Sequence, residues 1–384
     1  MTPLKIMFIA GEPSGDQLAA ELVAALKVEL SRRFPGRPLQ FFGAGGPRMA
    51  AAGVELAIDL TEHSIIGLIE VLKNYFKFRR FFHQLLALAE ERRPDVVIGV
   101  DYGGFNLRFA KALKSQAGWG PKLVQYVSPQ VWASRAGRAR VIAETHDLLL
   151  SIFPFERDWY ASRHPGLKVE FVGHPAVDRY ADDEARRPKA EVNPRMRVLL
   201  LPGSRTSELK RHLPVILGAA KSLAAEGFTL SMVLPNEKLQ EIAKPFLAMA
   251  GFPMALRIGG LADELRRANL AIASTGTVTM ECAFFGVPTV ALYKTSWSTY
   301  QIGKRIVTVK YLAMPNILAD EIVFPEFIQE AATAENIAAA GLELLRNERR
   351  REAVQQSLRK IIRSLGEPGA ARRAAAAVSG LVPG

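Results

Sequence analysis

The side chains able to do chemistry in this sequence cluster directly after apolar runs. Residues 94–100 end on Asp101, and Tyr102-Gly103-Gly104-Phe105-Asn106 then turns away. A partly desolvated carboxylate at the carboxyl end of a buried strand suits a general base toward a hydroxyl, and it equally suits a turn cap. Residues 6–10 run into Gly11-Glu12-Pro13-Ser14-Gly15-Asp16. This turn matches neither G-x-G-x-x-G nor the P-loop, yet its backbone N–H groups open a helix, where a phosphate can bind. Glu12 and Ser14 are its candidate functional groups; Ser14 or Asp16 as a helix cap is the plainer reading.

Two further loops repeat the arrangement. Strand-like residues 198–201 lead into Pro202-Gly203-Ser204-Arg205-Thr206-Ser207-Glu208. Gly203 permits close backbone approach, Ser204 adds a hydroxyl, and Arg205 supplies a fork of donors suited to phosphate. Residues 270–273 lead into Ser274-Thr275-Gly276-Thr277-Val278-Thr279-Met280-Glu281. Hydroxyls and a glycine open a second helix, with Glu281 one turn on to accept from ribose hydroxyls; hydroxyl capping is the alternative. Two such loops in one half favour a nucleoside diphosphate site.

Residues 65–86 read IIGLIEVLKNYFKFRRFFHQLL. Leu68, Val71, Tyr75, Phe78, Phe82 and Leu85 recur at 3,4 spacing and form one helical stripe. Lys73, Lys77, Arg79 and Arg80 edge it. An apolar face bordered by cations suits an anionic membrane surface or acyl chains; a core helix or an oligomer contact is the alternative. The six histidines, His174 at a strand end among them, form no metal-ligand spacing, and the single cysteine, Cys282, excludes a disulfide framework. Metal is therefore not expected. The formal charge of +12 points to an anionic partner, and no nucleic-acid-binding motif accompanies it.

Positioning these loops requires parallel strands. Apolar runs at 6–10, 39–43, 96–100, 122–127, 148–152 and 169–172 alternate with helical stretches, and the alternation restarts at 197–201, 230–234, 256–258, 270–273 and 289–292. Strands apolar on successive residues are buried on both faces, which predicts a doubly wound α/β architecture. The charged, aperiodic residues 178–195 read as a linker. The predicted organisation is a first Rossmann-like domain over 1–178, a linker over 179–196, a second Rossmann-like domain over 197–330, and helices over 331–384 that return toward the first domain. Ligands are expected at the carboxyl ends of the strands, in a cleft between the halves. No apolar run is long enough for a membrane span, and residues 1–16 read as a strand rather than a signal peptide, so a cytoplasmic location is expected.

Together, GEPSGD (11–16), GAGGPRMAAAG (43–53), GLIEVL (67–72), YVSPQVWA (126–133), FPFE (153–156), FVGHP (171–175), LPGSR (201–205), STGTVTMEC (274–282) and AMPNILAD (313–320) resemble the lipid-A-disaccharide synthase family. These are inverting glycosyltransferases of GT-B fold. The resemblance implies transfer of 2,3-diacylglucosamine from UDP to 2,3-diacylglucosamine 1-phosphate, on a membrane surface at the cytoplasmic face of the inner membrane, with no metal or other cofactor. It puts Arg205, Ser274, Thr275, Gly276 and Glu281 on the UDP site, and Glu12, Ser14, Asp101 and Asn316 on positions needed for activity. Where the family often has a second aspartate this chain has Gly104, which leaves Asp101 as the candidate base of that loop. The competing readings are another GT-B UDP-sugar enzyme (a 2-epimerase or a transferase with a soluble acceptor) and a non-catalytic basic surface-binding protein. A homodimer is compatible with the sequence.

Overall fold

A computed structural model describes residues 2–63, 75–116, 118–180 and 196–382. The chain forms two compact units, Met1–Asp178 with Leu365–Gly384, and Arg179–Ser364. Residues 181–195, most of the predicted linker, lie outside the described residues.

The first unit holds a seven-stranded sheet in the order β3-β2-β1-β4-β5-β6-β7. The strands are β1 (Leu4–Ala10), β2 (Leu39–Gly45), β3 (Glu55–Asp59), β4 (Val96–Val100), β5 (Lys122–Tyr126), β6 (Leu148–Ser151) and β7 (Val169–Phe171). All neighbours pair in parallel, with Ala10 beside Val100 at the β1–β4 junction. The chain winds outward from β1 to β3, then returns to β4 and proceeds to β7. The direction therefore reverses between β1 and β4, and a crevice opens there at the carboxyl ends of the strands. Every residue of β4 is buried, as its unbroken apolar run requires.

Helix Pro13–Arg33 buries Leu18, Leu22, Leu26 and Leu30, one turn apart, against the sheet. Each fully buried leucine contributes about 1.5–3 kcal/mol of transfer free energy. Helix Ala370–Ser379 packs on this helix, and Arg33 donates to the Ser379 carbonyl at 2.6 Å. The returning segment is held further by Arg373 Nε on the Val172 carbonyl (2.8 Å), and by Asp178, which accepts from the Gly369 and Ala370 amides.

The second unit holds a six-stranded parallel sheet in the order β10-β9-β8-β11-β12-β13. Its strands are β8 (Arg197–Leu201), β9 (Thr229–Leu234), β10 (Ala255–Ile258), β11 (Leu270–Ser274), β12 (Thr289–Tyr293) and β13 (Glu326–Ile328). Winding reverses between β8 and β11. Helices Ala334–Arg346 and Glu348–Ser364 pack in this unit.

Two strands escape the sequence pattern. Both β3 and β13 are sheet edges whose residues are only partly buried, so neither presents an unbroken apolar run.

Helix Tyr75–Arg92 corrects the predicted membrane stripe at Phe78 and Phe82. Phe78 and Phe82 face the first unit's core, beside the fully buried Leu85. Phe82 meets the Phe105 and Phe109 rings edge-on, at centroid distances of 5.4 and 5.8 Å. The helix covers one face of the sheet, and its most apolar stripe is the covering side. Phe76, Arg79 and Arg80 remain exposed, and Lys77 is half-buried against the Phe81 ring. Leu68, Val71 and Lys73 lie outside the described residues, as does the Tyr75 side chain.

Candidate active site

The strand order, rather than chain proximity, brings the first unit's polar loops together. The turns after β1 and β4 flank its reversal point. In the first turn Glu12 is the extended N-cap of helix Pro13–Arg33, Pro13 fills the first helical turn, and Glu12 and Ser14 are exposed. Gly15 lies against the end of β4; a Cβ there would sit 3.3 Å from the Val100 carbonyl. Asp16 caps neither its own turn nor its own helix. It is buried and accepts from the Gly46, Arg48 and Met49 amides at 2.9–3.0 Å, so it caps helix Pro47–Ala51 across the sheet. GEPSGD and GAGGPRM are thus one structural device.

Asp101 and Tyr102 both adopt left-handed backbone angles, with φ of 50° and 45°. Each non-glycine residue in this region costs about 1–3 kcal/mol. Three hydrogen bonds hold the strained turn: the Asp101 amide donates to the Tyr126 carbonyl (2.6 Å), and its carbonyl accepts from Asn106 Nδ2 and Gln125 Nε2, both at 2.9 Å. Gln125 and Asn106 are buried, and Gly99 makes room for them. A Cβ at Gly99 would lie 2.8 Å from Gln125 Oε1. Burial pushes the Asp101 carboxyl above the ordinary aspartate range, against a backbone hydrogen bond from Tyr102 that lowers it.

The Tyr102 ring covers Gly11, where a Cβ would fall 2.4 Å from the ring. Burial raises the Tyr102 hydroxyl pKa, and the Glu12 charge adds to it. Beside this turn, residues 127–133 are braced by Glu156. Glu156 Oε1 accepts from Trp132 Nε1 at 3.0 Å and Oε2 from the Phe153 amide at 3.3 Å. Burial pushes the Glu156 carboxyl up to about 7.

In the second unit the turns after β8 and β11 flank the corresponding reversal. Gly203 has φ of 118°, and a Cβ there would meet Glu208 Oε2 at 2.8 Å and Ser274 Oγ at 3.4 Å, so the two loops touch at this glycine. Ser204 and Arg205 are exposed, and Arg205 Nη1 donates to Glu208 Oε1 at 3.0 Å at the start of helix Thr206–Ala225. Ser274 is buried and Thr275 half-buried; Gly276, with φ of 137°, and Thr277 are exposed where helix Thr277–Phe284 begins. Two helix N-termini whose caps make no side-chain hydrogen bond, a glycine-lined approach and a guanidinium make a surface suited to a diphosphate. Glu281 is half-buried; burial raises its carboxyl, against lowering by the Arg179 charge and a Tyr180 hydrogen bond.

The residue that ties the turn after β8 to the segment after β12 is His212, which the sequence showed only as one histidine among six. It is fully buried. Its Nδ1 meets the Pro202 carbonyl at 2.8 Å and its Nε2 meets the Lys294 amide at 3.0 Å. A carbonyl only accepts and an amide only donates, so the ring is neutral, protonated on Nδ1. Burial lowers its pKa. Its only sequence signal is a position in the apolar stripe of Leu209, Leu213 and Ile216.

Asn316 requires a correction. It is fully buried, and its amide is consumed locally: Nδ2 donates to the Phe324 carbonyl (2.8 Å) and Glu326 Oε1 (2.7 Å), and Oδ1 accepts from the Val323 and Phe324 amides (3.0 and 2.8 Å). It folds the 313–326 segment and has no hydrogen-bonding capacity left for a substrate.

Comparison with known proteins agrees with this geometry. A family model described as Lipid-A-disaccharide synthetase matches residues 6–379. The chain is 37% identical over 386 residues to the lipid-A-disaccharide synthase of Trichlorobacter lovleyi, covering 99% of this chain and 98% of that protein. In fold it is similar to a putative UDP-N-acetylglucosamine 2-epimerase from Listeria monocytogenes (TM-score 0.60, 17% identity, 98% of this chain and 96% of the other). It is also similar to the S. aureus MnaA-UDP co-structure (TM-score 0.58, 15% identity, 96% and 94%). At such identities the likeness concerns the fold, which is GT-B. The whole-length family match and the near-complete coverage of its curated relative decide the rest: the chain belongs to the lipid-A-disaccharide synthase family, glycosyltransferases of lipid A biosynthesis.

Proposed function

We propose that Asp101 is the general base of the family's transfer, and that the loops after β8 and β11 hold the UDP of the donor. The reaction joins the 2,3-diacylglucosamine unit of UDP-2,3-diacylglucosamine to the 6-hydroxyl of 2,3-diacylglucosamine 1-phosphate. Asp101 takes the hydroxyl proton as the acceptor oxygen forms a bond to the anomeric carbon. The bond from that carbon to the diphosphate oxygen breaks, and UDP leaves with the electron pair. A single displacement from the opposite face inverts the anomeric centre.

The observation that carries this reading is the strained, partly desolvated Asp101 at the reversal point of the first sheet. A raised carboxyl pKa makes a stronger base, and strain held at one turn is common where geometry serves chemistry. Glu12 and Ser14 are the polar groups of the neighbouring turn and orient the acceptor. Arg205 and the first-turn amides around Gly203, Ser204, Gly276 and Thr277 stabilise the charge that develops on UDP, and Ser274, Thr275 and Glu281 orient the nucleoside. A neighbour of the same fold is described as a co-structure with UDP, which supports a UDP-binding role for the fold. No helix among the described residues is long and apolar enough to cross a membrane. The acylated substrates are reached at the cytoplasmic face of the inner membrane, through the surface that carries Phe76, Arg79 and Arg80.

Asp101→Asn keeps the volume and removes the base. Turnover of UDP-diacylglucosamine with diacylglucosamine 1-phosphate, followed by mass analysis of the tetraacyl disaccharide phosphate, is expected to drop roughly 10²–10⁴-fold. Near-normal turnover by a folded variant overturns the assignment.

A further inference from the structure

Helix Trp297–Ile306 in the second unit contributes no buried residue to its core. Trp297, Ile302, Ile306 and Val307 are exposed by 71, 61, 38 and 37%. Ile302 and Ile306 are one turn apart and share a face. Residues 294–319 contain Lys294, Lys304, Arg305 and Lys310, and the carboxylates Asp320 and Glu321 follow directly. Lys294 is turned inward onto the Gln329 and Ala332 carbonyls and Lys310 Nζ donates to Asp320 Oδ1 at 3.0 Å, while Lys304 and Arg305 are at the surface beside the isoleucines.

The helix is also mechanically tied to the donor loop. It follows β12, so its start lies at the same sheet edge as the turns after β8 and β11. His212 bonds the Lys294 amide on one side and the Pro202 carbonyl on the other, and Gln329 Oε1 accepts from the Thr295 amide at 2.7 Å. This exposed apolar face adds nothing to the core of its own unit, which leaves it available to a partner.

We propose that this face is a second lipid-contacting surface, carried by the donor-binding unit and seated at the headgroup boundary of an anionic bilayer. The isoleucines enter the acyl boundary, Trp297 sits at headgroup level where an amphipathic ring is favoured, and Lys304 and Arg305 meet the lipid phosphates. The inference rests on the membrane reading given above and deepens it by adding a contact on the other unit. A diacylated donor would then be drawn from the surface on which its own binding loops rest.

The test is co-sedimentation of the full chain with extruded vesicles of equal phosphatidylglycerol and phosphatidylcholine, against pure phosphatidylcholine, at low salt. Ile302→Ser with Ile306→Ser is expected to lower partitioning about ten-fold or more, with unchanged turnover on detergent-dispersed substrates as the control for folding. Brominated lipids in the same vesicles are expected to quench the fluorescence of the unaltered chain more than that of Trp297→Phe, which keeps the test open if the double variant misfolds. If the unaltered chain ignores anionic vesicles, the membrane reading and this inference fall together. If it binds, and Phe76→Ser weakens binding while the isoleucine variant and Trp297→Phe change nothing, this inference alone falls. Unchanged vesicle binding with a raised KM for the dispersed donor would give the face to the donor's acyl chains, and loss of a dimer would give it to a second copy; each overturns the bilayer assignment.

Discussion

The side-chain amide of Gln125 donates to the carbonyl of Asp101 at 2.9 Å, from a strand that neighbours the aspartate in space but lies 24 positions further along the chain. With Asn106 it holds a left-handed turn that the backbone alone disfavours. Gln125→Leu is expected to destabilise the first unit by about 1–3 kcal/mol. It should lower kcat about ten-fold while moving KM little, because the loss falls on the placement of the base rather than on substrate contact. The acid limb of the pH–rate profile should move to lower pH as water reaches Asp101. Denaturant titration with a kcat–pH series separates this from plain unfolding.

Glu156 gives the first unit an alkaline sensitivity. Its folded-state pKa of about 7 lies above its ordinary value of 4.5, so the folded protein holds the proton more tightly than the unfolded chain. That stabilisation is fully present below pH 4.5 and is lost as pH rises through 7, by about 3 kcal/mol at 1.36 kcal/mol per pH unit. Glu156→Gln keeps an acceptor for Trp132 and should flatten the fall in melting temperature between pH 5 and 9. An unchanged slope would assign the sensitivity elsewhere.

His212 works in the opposite sense. Burial depresses its folded-state pKa, so its contribution is present above the unfolded value, about 6.5, and is lost as pH falls below it. Protonation would put a hydrogen on Nε2, facing the Lys294 amide. His212→Phe should reduce stability by about 1–3 kcal/mol at neutral pH, leaving the Pro202 carbonyl and the Lys294 amide unpaired. It should raise the KM for the UDP-sugar more than it lowers kcat, and calorimetry with donor kinetics reads both.

Two residues taken from sequence as functional contacts should instead behave as structural ones. Asn316→Ala leaves several buried polar groups unpaired and is expected to cost about 3 kcal/mol or more. Phe82→Ala empties a site against Phe105 and Phe109, at about 3 kcal/mol. Both should lower the melting temperature, and residual activity at low temperature should track the folded fraction.

Much of this architecture follows from local pattern. Unbroken apolar runs mark the strands buried on both faces, and the polar turns after β1, β4, β8 and β11 are readable because each follows such a run. The edge strands β3 and β13 are not readable this way, since each is short, carries a charged residue and is not fully buried. Side-chain spacing also predicts that residues 75–86 have an apolar stripe, yet it carries no information on whether sheet or solvent lies against it; the packing of Phe82 on Phe105 and Phe109 answers that. Three of the devices that position the chemistry span long sequence separations: Asp16 capping the helix after β2, Gln125 on Asp101, and His212 on Lys294. Such pairs depend on the order in which parallel strands cross over, and crossover order is a property of the packed sheets. Residue type and spacing settle which groups are available, and strand order settles which of them meet.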